Sequence, residues 1–300
     1  MPTLTTHYIK AIPSQTQSNT EFMTIMTYEN SLDCDNEAFF QFLSSHDTKT
    51  GKKFSRQKWK DIMLKFTDEY KWKDDKIYSK LRTIYTQDNA MLNADRGRRL
   101  AHKLYKVVEL LPKYVRERKY NSYLDYGCAS GTITTEFAKL LDIPPENVYG
   151  ADPMAYPIKD FTFIHLDKSN KLVGIPDASI DIITASMVLH HIEDIESALK
   201  EIKRVLSPNG FILIREHDCY NRRFARFLDI VHGLYALVWS SPVEDPNFIK
   251  SYMALYRSKQ GWTDILLKYN LKKIGYVNQY FVDPGKFNNI RAYYAAYKHL

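Results

Sequence analysis

Residues 123–132 read YLDYGCASGT, an apolar run broken by one acid and closed by two glycines. Such a run followed by small residues predicts a buried strand that ends in a tight turn and opens a helix. Gly127 and Gly131 tolerate positive φ, and Ala129 and Ser130 keep the loop thin enough for a ligand to approach its backbone. A dinucleotide fingerprint needs three glycines; counting from Gly127, the second and third places hold Ala129 and Thr132. A P-loop needs Gly-Lys-Ser/Thr, and the first lysine after the turn is Lys139. The turn is therefore poorly equipped for pyrophosphate. Asp125, at the strand end, sets a negative charge in the same crevice, which repels phosphate and attracts an ammonium or sulfonium group.

Outward from this turn, short strands and helices alternate. YLDYG, NVYGAD, FTFIHLD, IDIITASMV and FILIREHD read as strands, TITTEFAKLL as a helix, and a further helix carries Ile195, Leu199, Ile202 and Leu206 on one face until Pro208-Asn209-Gly210 stops it. Alternation of this kind predicts an α/β fold, a mostly parallel Rossmann-like sheet with helices on both faces. LKKIGYVNQYF and IRAYYAAYK, separated by a loop around Pro284-Gly285, read as an antiparallel C-terminal hairpin at the sheet edge. Upstream the period is helical, with Trp59, Ile62, Phe66 and Tyr70 on one face and Tyr78, Leu81 and Tyr85 on the next. The expected organisation is a flexible N-terminus over residues 1–35, a basic helical cap over 36–120 and an α/β domain over 121–300. In that domain VYGADP ends the second strand, where the Asp152 carboxylate can accept both hydroxyls of a ribose. An amino-acid cation, a ribose and no phosphate describe S-adenosylmethionine.

From about residue 121 to the C-terminus the chain resembles the class I S-adenosylmethionine-dependent methyltransferases, in particular their type-11 group. LDYGCASG is similar to the family's glycine loop, which implies that Asp125, Gly127, Cys128, Ala129 and Gly131 line the methionine part of the cofactor. GADP carries Asp152 and Pro153 at the ribose position, and HLDKS carries Asp167 near the adenine amino group; an Asx-turn is the alternative for Asp167. PDASIDIITASMVLHHIEDIESALKEIKRVLSPNGFILI resembles the fourth strand, the next helix and the fifth strand, with Ser186 facing the cofactor. Ala129 replaces a frequent glycine, and Asn209 stands where Pro-Gly-Gly usually has its first glycine.

The 300 residues are 44% hydrophobic, yet no stretch approaches an uncharged membrane span. The N-terminus lacks the apolar core of a secretory signal, and the three cysteines, lacking CxxC spacing, argue against a disulfide framework or a structural metal site. A reducing, cytoplasmic setting is expected. The formal net charge is +7 and uneven: residues 49–82 hold 12 Lys/Arg against 5 Asp/Glu, and residues 96–119 hold 9 against 2. With Arg222, Arg223 and Arg226 ahead of Phe224, Phe227, Tyr235 and Trp239, these segments suit RNA, by phosphate contact and base stacking. Solvated helix faces and an ordinary amphipathic helix are the alternatives, and the N-terminal extension offers a surface for a protein partner.

Chemistry is expected at the ends of the fourth and fifth strands. Methyl transfer from a sulfonium is an in-line displacement in which alignment matters most, and an N or O acceptor must also lose a proton. Ser186, His190 and His191 form one candidate group, and Arg215, Glu216, His217 and Asp218 the other. Glu216 or His217 as base or hydrogen-bond partner of the acceptor competes with an ion-pair network behind the site. His190 is either catalytic or a packed core histidine. Three overall readings follow: a methyltransferase acting on RNA, one acting on a small quinone-, amine- or lipid-type molecule, and a non-catalytic methyltransferase-like scaffold.

Overall fold

The computed structural model describes residues 12–13, 36–70, 74–87, 94–240, 243, 247–282 and 289–300. Its chain divides into two compact units, Met1–Ala90 with Cys219–Arg257, and Met91–Asp218 with Ser258–Leu300. This division differs from the one expected at 120/121, because the helix before that point packs in the sheet unit and a later insertion completes the helical one. The expectation for residues 1–35 falls, apart from Ile12–Pro13, outside the described residues.

In the first unit, strand β1 (Ile12–Pro13) pairs antiparallel with β7 (Leu255–Tyr256). Helices α1 (Asn36–Ser44), α2 (Arg56–Tyr70) and α3 (Asp74–Ile84) join α8 (Arg222–Leu234) and the short α9 (Phe248–Ser251). Aromatic residues form the core. Trp59 stacks on Tyr85 at 5.0 Å between centroids, and Phe42 meets Phe227 and Trp239 edge-on. The helical period of Tyr78, Leu81 and Tyr85 is seen as three buried side chains. A π-helical turn, Tyr235–Trp239, follows α8, and Arg82 donates to the carbonyls of Leu237 and Ser240 beyond it. A guanidinium with its fork of donors is well suited to backbone acceptors left over where the helix pattern changes.

The second unit is built on a seven-stranded sheet of order β4-β3-β2-β5-β6-β9-β8. Its strands are β2 (Tyr123–Tyr126), β3 (Val148–Asp152), β4 (Thr162–His165), β5 (Ile180–Ser186), β6 (Leu206–His217), β8 (Leu271–Asn278) and β9 (Ala292–His299). The first five are parallel; β9 enters antiparallel between β6 and the edge strand β8. The predicted hairpin is thus present, although its loop lies outside the described residues. The chain order reverses between β2 and β5, which opens a crevice beyond their carboxyl ends. Helices α4 (Ala94–Glu109), α5 (Lys113–Arg116), α6 (Thr132–Leu140), α7 (Ile195–Val205), α10 (Lys259–Lys268) and α11 (Gln279–Val282) complete the unit. Two apolar cores flank the sheet: Leu199, Ile202 and Trp262 belong to one, and Leu104, Val108 and Phe137 to the other.

Helix α7 ends at Val205, so Leu206 begins the strand instead of closing the helix as predicted. Pro208 restricts Ser207 before it to extended φ/ψ, and Leu206, already extended at ψ 124°, pairs with Ile180 in the sheet. Helix α4 lies against α6 through Gly97, where an added Cβ would come within 2.8 Å of Thr132 Cβ. Gly97→Val is expected to lower unfolding free energy by about 1–3 kcal/mol through overpacking, read by chemical denaturation. An unchanged midpoint would show that the two helices do not need this contact.

Candidate cofactor and active site

The glycine turn closes on itself. Gly127 N–H and Cys128 N–H both donate to Ala151 O, Gly131 N–H donates to Cys128 O, and Ala129 N–H donates to Asp152 Oδ2 at 2.9 Å. Gly127 (φ 83°) and Gly131 (φ 76°) take the positive φ that the spacing predicted, and Ala129 shares it at φ 46°. Side chains occupy the space that Cβ atoms would need: Val188 lies 2.5 Å from a Cβ on Gly127, and the Phe161 ring 2.7 Å from one on Gly131. With these N–H groups engaged inside the turn, the loop has little to offer a phosphate.

Asp152 sits at the carboxyl end of β3 and is 8% exposed. Its Oδ1 accepts Met154 N–H at 2.9 Å and its Oδ2 accepts Ala129 N–H, which leaves each oxygen a second lone pair. Burial raises its pKa, opposed by these two backbone donors. A carboxylate fixed by backbone at a strand end with spare acceptor capacity fits a ribose diol. Together with a loop lacking spare phosphate donors, this donor set fits S-adenosylmethionine.

Asp125 does not lie open to the crevice as expected. Its Oδ2 accepts Thr134 Oγ1–H from α6 and its Oδ1 accepts Thr184 Oγ1–H from β5, both at 2.7 Å, and it is buried. Parallel pairing sets Asp125 directly beside Thr184, so the carboxylate finds its partners inside the protein. Desolvation raises its pKa, and the two threonine hydroxyls oppose the rise. Neither threonine stood out in the sequence. Cys128 is buried, with its thiol pKa raised by burial.

Asp167 forms the Asx-turn that was the alternative to adenine contact: Oδ1 accepts Ser169 N–H at 2.8 Å and its hydroxyl at 2.5 Å, on an exposed loop. Pro153 is exposed beside Asp152, and Ser186 is half-buried at the end of β5.

The residues REHD at 215–218 are each partnered. Arg215 donates to Gln279 Oε1 at 3.4 Å, Asp218 accepts Lys259 N–H at 2.9 Å, and His217 Nδ1 lies 2.8 Å from Ile290 O. A carbonyl only accepts, so His217 carries its proton on Nδ1. Glu216 is fully buried; Oε1 accepts Leu189 N–H at 2.9 Å and Oε2 lies 2.6 Å from His190 Nδ1. His190 in turn meets His217 at 5.2 Å and His191 at 4.1 Å between ring centroids. Burial pushes the Glu216 carboxyl up to about 7, holds His217 down to about 3 and lowers His190. His217 and His190 are therefore neutral at neutral pH and weak as bases. Direct acceptor contact by Glu216 gives way to the buried network, because the side chain is fully buried against His190 and Leu189 N–H.

The RNA-contact expectation for 222–226 changes as well. Arg222 and Arg223 are exposed, but Arg226 is buried, as are Phe224, Phe227 and Trp239. These aromatics form the core of the first unit and offer no face for a base. Asp229, one helical turn after Arg226, is pushed up to about 8 by burial while accepting the hydroxyls of Tyr252 and Tyr256.

The Glu216 and His217 shifts oppose each other in stability. Stabilisation from protonated Glu216 is complete below its unfolded pKa and is lost as pH rises through about 7; stabilisation from neutral His217 is complete above 6.5 and is lost as pH falls toward 3. Glu216→Gln is therefore expected to gain stability relative to wild type as pH rises from about 5 to about 8, measured by thermal unfolding across that range. A pH-independent difference would contradict the buried-carboxyl account.

A family model described as "Methyltransferase domain" matches residues 93–272. Relatives include an uncharacterised methyltransferase of Schizosaccharomyces pombe, 32% identical over 35% of this chain and 42% of that protein. A tRNA U34 carboxymethyltransferase of Campylobacter fetus is 33% identical over 30% of this chain and 34% of its own length. A ubiquinone biosynthesis O-methyltransferase of Rhodopseudomonas palustris is 29% identical over 39% and 47%. The chain thus spans less than half the length of these curated relatives.

Proposed function

The chain belongs to the class I S-adenosylmethionine-dependent methyltransferases, and from that premise we propose that it transfers a methyl group to a nucleophilic nitrogen or oxygen of RNA. The cofactor supplies, when bound, a methyl group on a sulfonium open to in-line displacement. Asp152 holds the ribose, and the turn at Gly127 and Gly131 admits the methionine part close to backbone. Glu216 and His190 act as positioning residues: they fix the Leu189–His191 turn, and with it Val188 against Gly127.

The observation that carries the RNA reading is the N-terminal end of α2. Lys49, Lys52, Lys53, Arg56, Lys58 and Lys60 are exposed there, with Lys65 exposed further along; the first turn of the 15-residue helix holds no acid, and Arg56 pairs with Glu37 from α1. Cations at a helix N-terminus oppose the macrodipole, and a polyanion covering this basic end would add to the compensation that Glu37 already gives Arg56. Phosphates of a polynucleotide would do so, with affinity falling steeply as salt rises. The tRNA-modifying relative supports the same class. A small-molecule acceptor is the second reading, favoured by the ubiquinone O-methyltransferase relatives and by the burial of Phe224, Phe227 and Trp239.

Asp152→Ala is expected to weaken S-adenosylhomocysteine binding at least about tenfold, a loss of about 1.4 kcal/mol, in isothermal titration. Undiminished affinity would remove Asp152 from the cofactor site. For the acceptor, tRNA binding measured from about 50 to 200 mM salt is expected to weaken steeply, with a shallower slope for the Lys52→Glu, Lys53→Glu double variant. Absent or salt-independent binding would give first place to the small-molecule acceptor.

A further inference from the structure

The carboxyl end of β6 carries a cation that has no acid partner among the described residues. Arg215 is half-buried, and its side chain donates to one neutral acceptor, Gln279 Oε1, at 3.4 Å, which is long for such a bond. Its Nε is buried without a hydrogen-bond partner, and the guanidinium carbon lies 5.8 Å from the centroid of the Tyr294 ring. The acids that follow it in the chain are engaged elsewhere, Glu216 with His190 and Leu189 N–H, and Asp218 with Lys259. A guanidinium held partly out of water with no anion is unfavourable, and an oxyanion in its fork of donors relieves that.

The place of Arg215 in the sheet says what would bring the anion. The ladders set Tyr126 beside Ala185, Ala185 beside Ile214, and Ser186 beside Arg215. Arg215 thus stands one residue past the same line as Gly127 does, two strand spacings or about 10 Å across the sheet. Side chains alternate along a strand, and Leu213, two residues earlier, lies in the apolar core that also holds Leu104 of α4, Phe137 of α6 and Val282 of α11. Arg215 continues that face beyond the core, on the side where the glycine turn opens into α6. Between turn and arginine, Met187 takes φ 57° with its N–H on Arg215 O at 2.7 Å, a left-handed conformation that is costly for a methionine and is found most often where geometry serves a site. Ser186, Met187 and Val188 are all half-buried, so solvent reaches the ground between them.

Resting on the reading of the chain as a methyltransferase, we infer that Arg215 recognises the acceptor: its guanidinium takes an oxyanion, phosphate or carboxylate, that the acceptor carries across the crevice from the cofactor turn. A nucleotide offers a phosphate for this and a small aryl acid a carboxylate, whereas a neutral acceptor offers nothing to the fork.

The test titrates the full chain, saturated with S-adenosylhomocysteine, with uridine 5′-monophosphate and with benzoate, each beside its neutral counterpart, uridine and benzyl alcohol. At least one anion is expected to bind at least about tenfold more tightly than its counterpart, and Arg215→Met to abolish that preference. Arg215→Lys, which keeps the charge and loses the fork, is expected to reduce it at least about threefold. S-adenosylhomocysteine affinity should be unchanged in both variants, which also shows that they fold. Binding of the phosphate supports Arg215 with an RNA acceptor; binding of benzoate alone supports Arg215 and gives the small-molecule acceptor first place. No preference for either anion in the wild-type chain, a preference equal to wild type in either variant, or a loss of S-adenosylhomocysteine affinity in a variant that circular dichroism shows to be folded would overturn the proposal. Failure of the wild-type chain to bind S-adenosylhomocysteine is a separate outcome, which strikes the methyltransferase reading and this inference with it.

Discussion

One dehydrated carboxylate ties the cofactor end of the sheet together. Asp125 lies at the close of β2, and its two oxygens take one hydroxyl from the first turn of α6 and one from the middle of β5. Tyr123 OH adds a 2.7 Å bond to Thr184, so strand, neighbouring strand and helix meet at a single polar knot in an otherwise apolar layer. Burial makes the charge expensive, and only the paired hydroxyls make it tolerable. Because α6 begins at the residue after Gly131, the position of the whole turn follows from where Thr134 is held. Removing either threonine would leave an acid oxygen without a donor, at about 1–3 kcal/mol.

The other acid of this kind is Glu216, at the end of β6. Its partners, Leu189 N–H and His190, belong to the segment that leaves β5, so it couples two strand ends much as Asp125 couples a strand to a helix. Side chains that look reactive by residue type thus serve here as internal fasteners. Asp152 differs in being held, among the described residues, by the backbone N–H groups of Ala129 and Met154 at a strand end.

Much of the sheet was legible because parallel strands covered on both faces must be continuously apolar, as YLDY and IDIITA are. The antiparallel hairpin was legible from its turn, and Asp152 from its place at a strand end. Side-chain direction was not. Whether Asp125 faces cleft or interior depends on its register beside Thr184, 59 residues away, and no local pattern encodes that pairing. Arg226 was misread for a similar reason: a basic residue at the start of a helix reads as solvated until the fold surrounds it with other helices. The division into units escaped for want of a linker, since the chain leaves one unit for the other with no change in composition near residues 91, 219 or 258.

That division bears on how the molecule is made. The helical unit is assembled from two stretches, Met1–Ala90 and Cys219–Arg257, with most of the sheet unit emerging between them. During synthesis the first helices leave the ribosome long before α8 exists, with Phe42 exposed until Phe227 and Trp239 arrive to cover it. The sheet likewise waits for β9, which closes its ladders to both β6 and β8. The helical unit is therefore unfinished until α8 has been made and the sheet until β9 has been, and the nascent chain carries open aromatic surface through that interval, the circumstance in which chaperones are most needed.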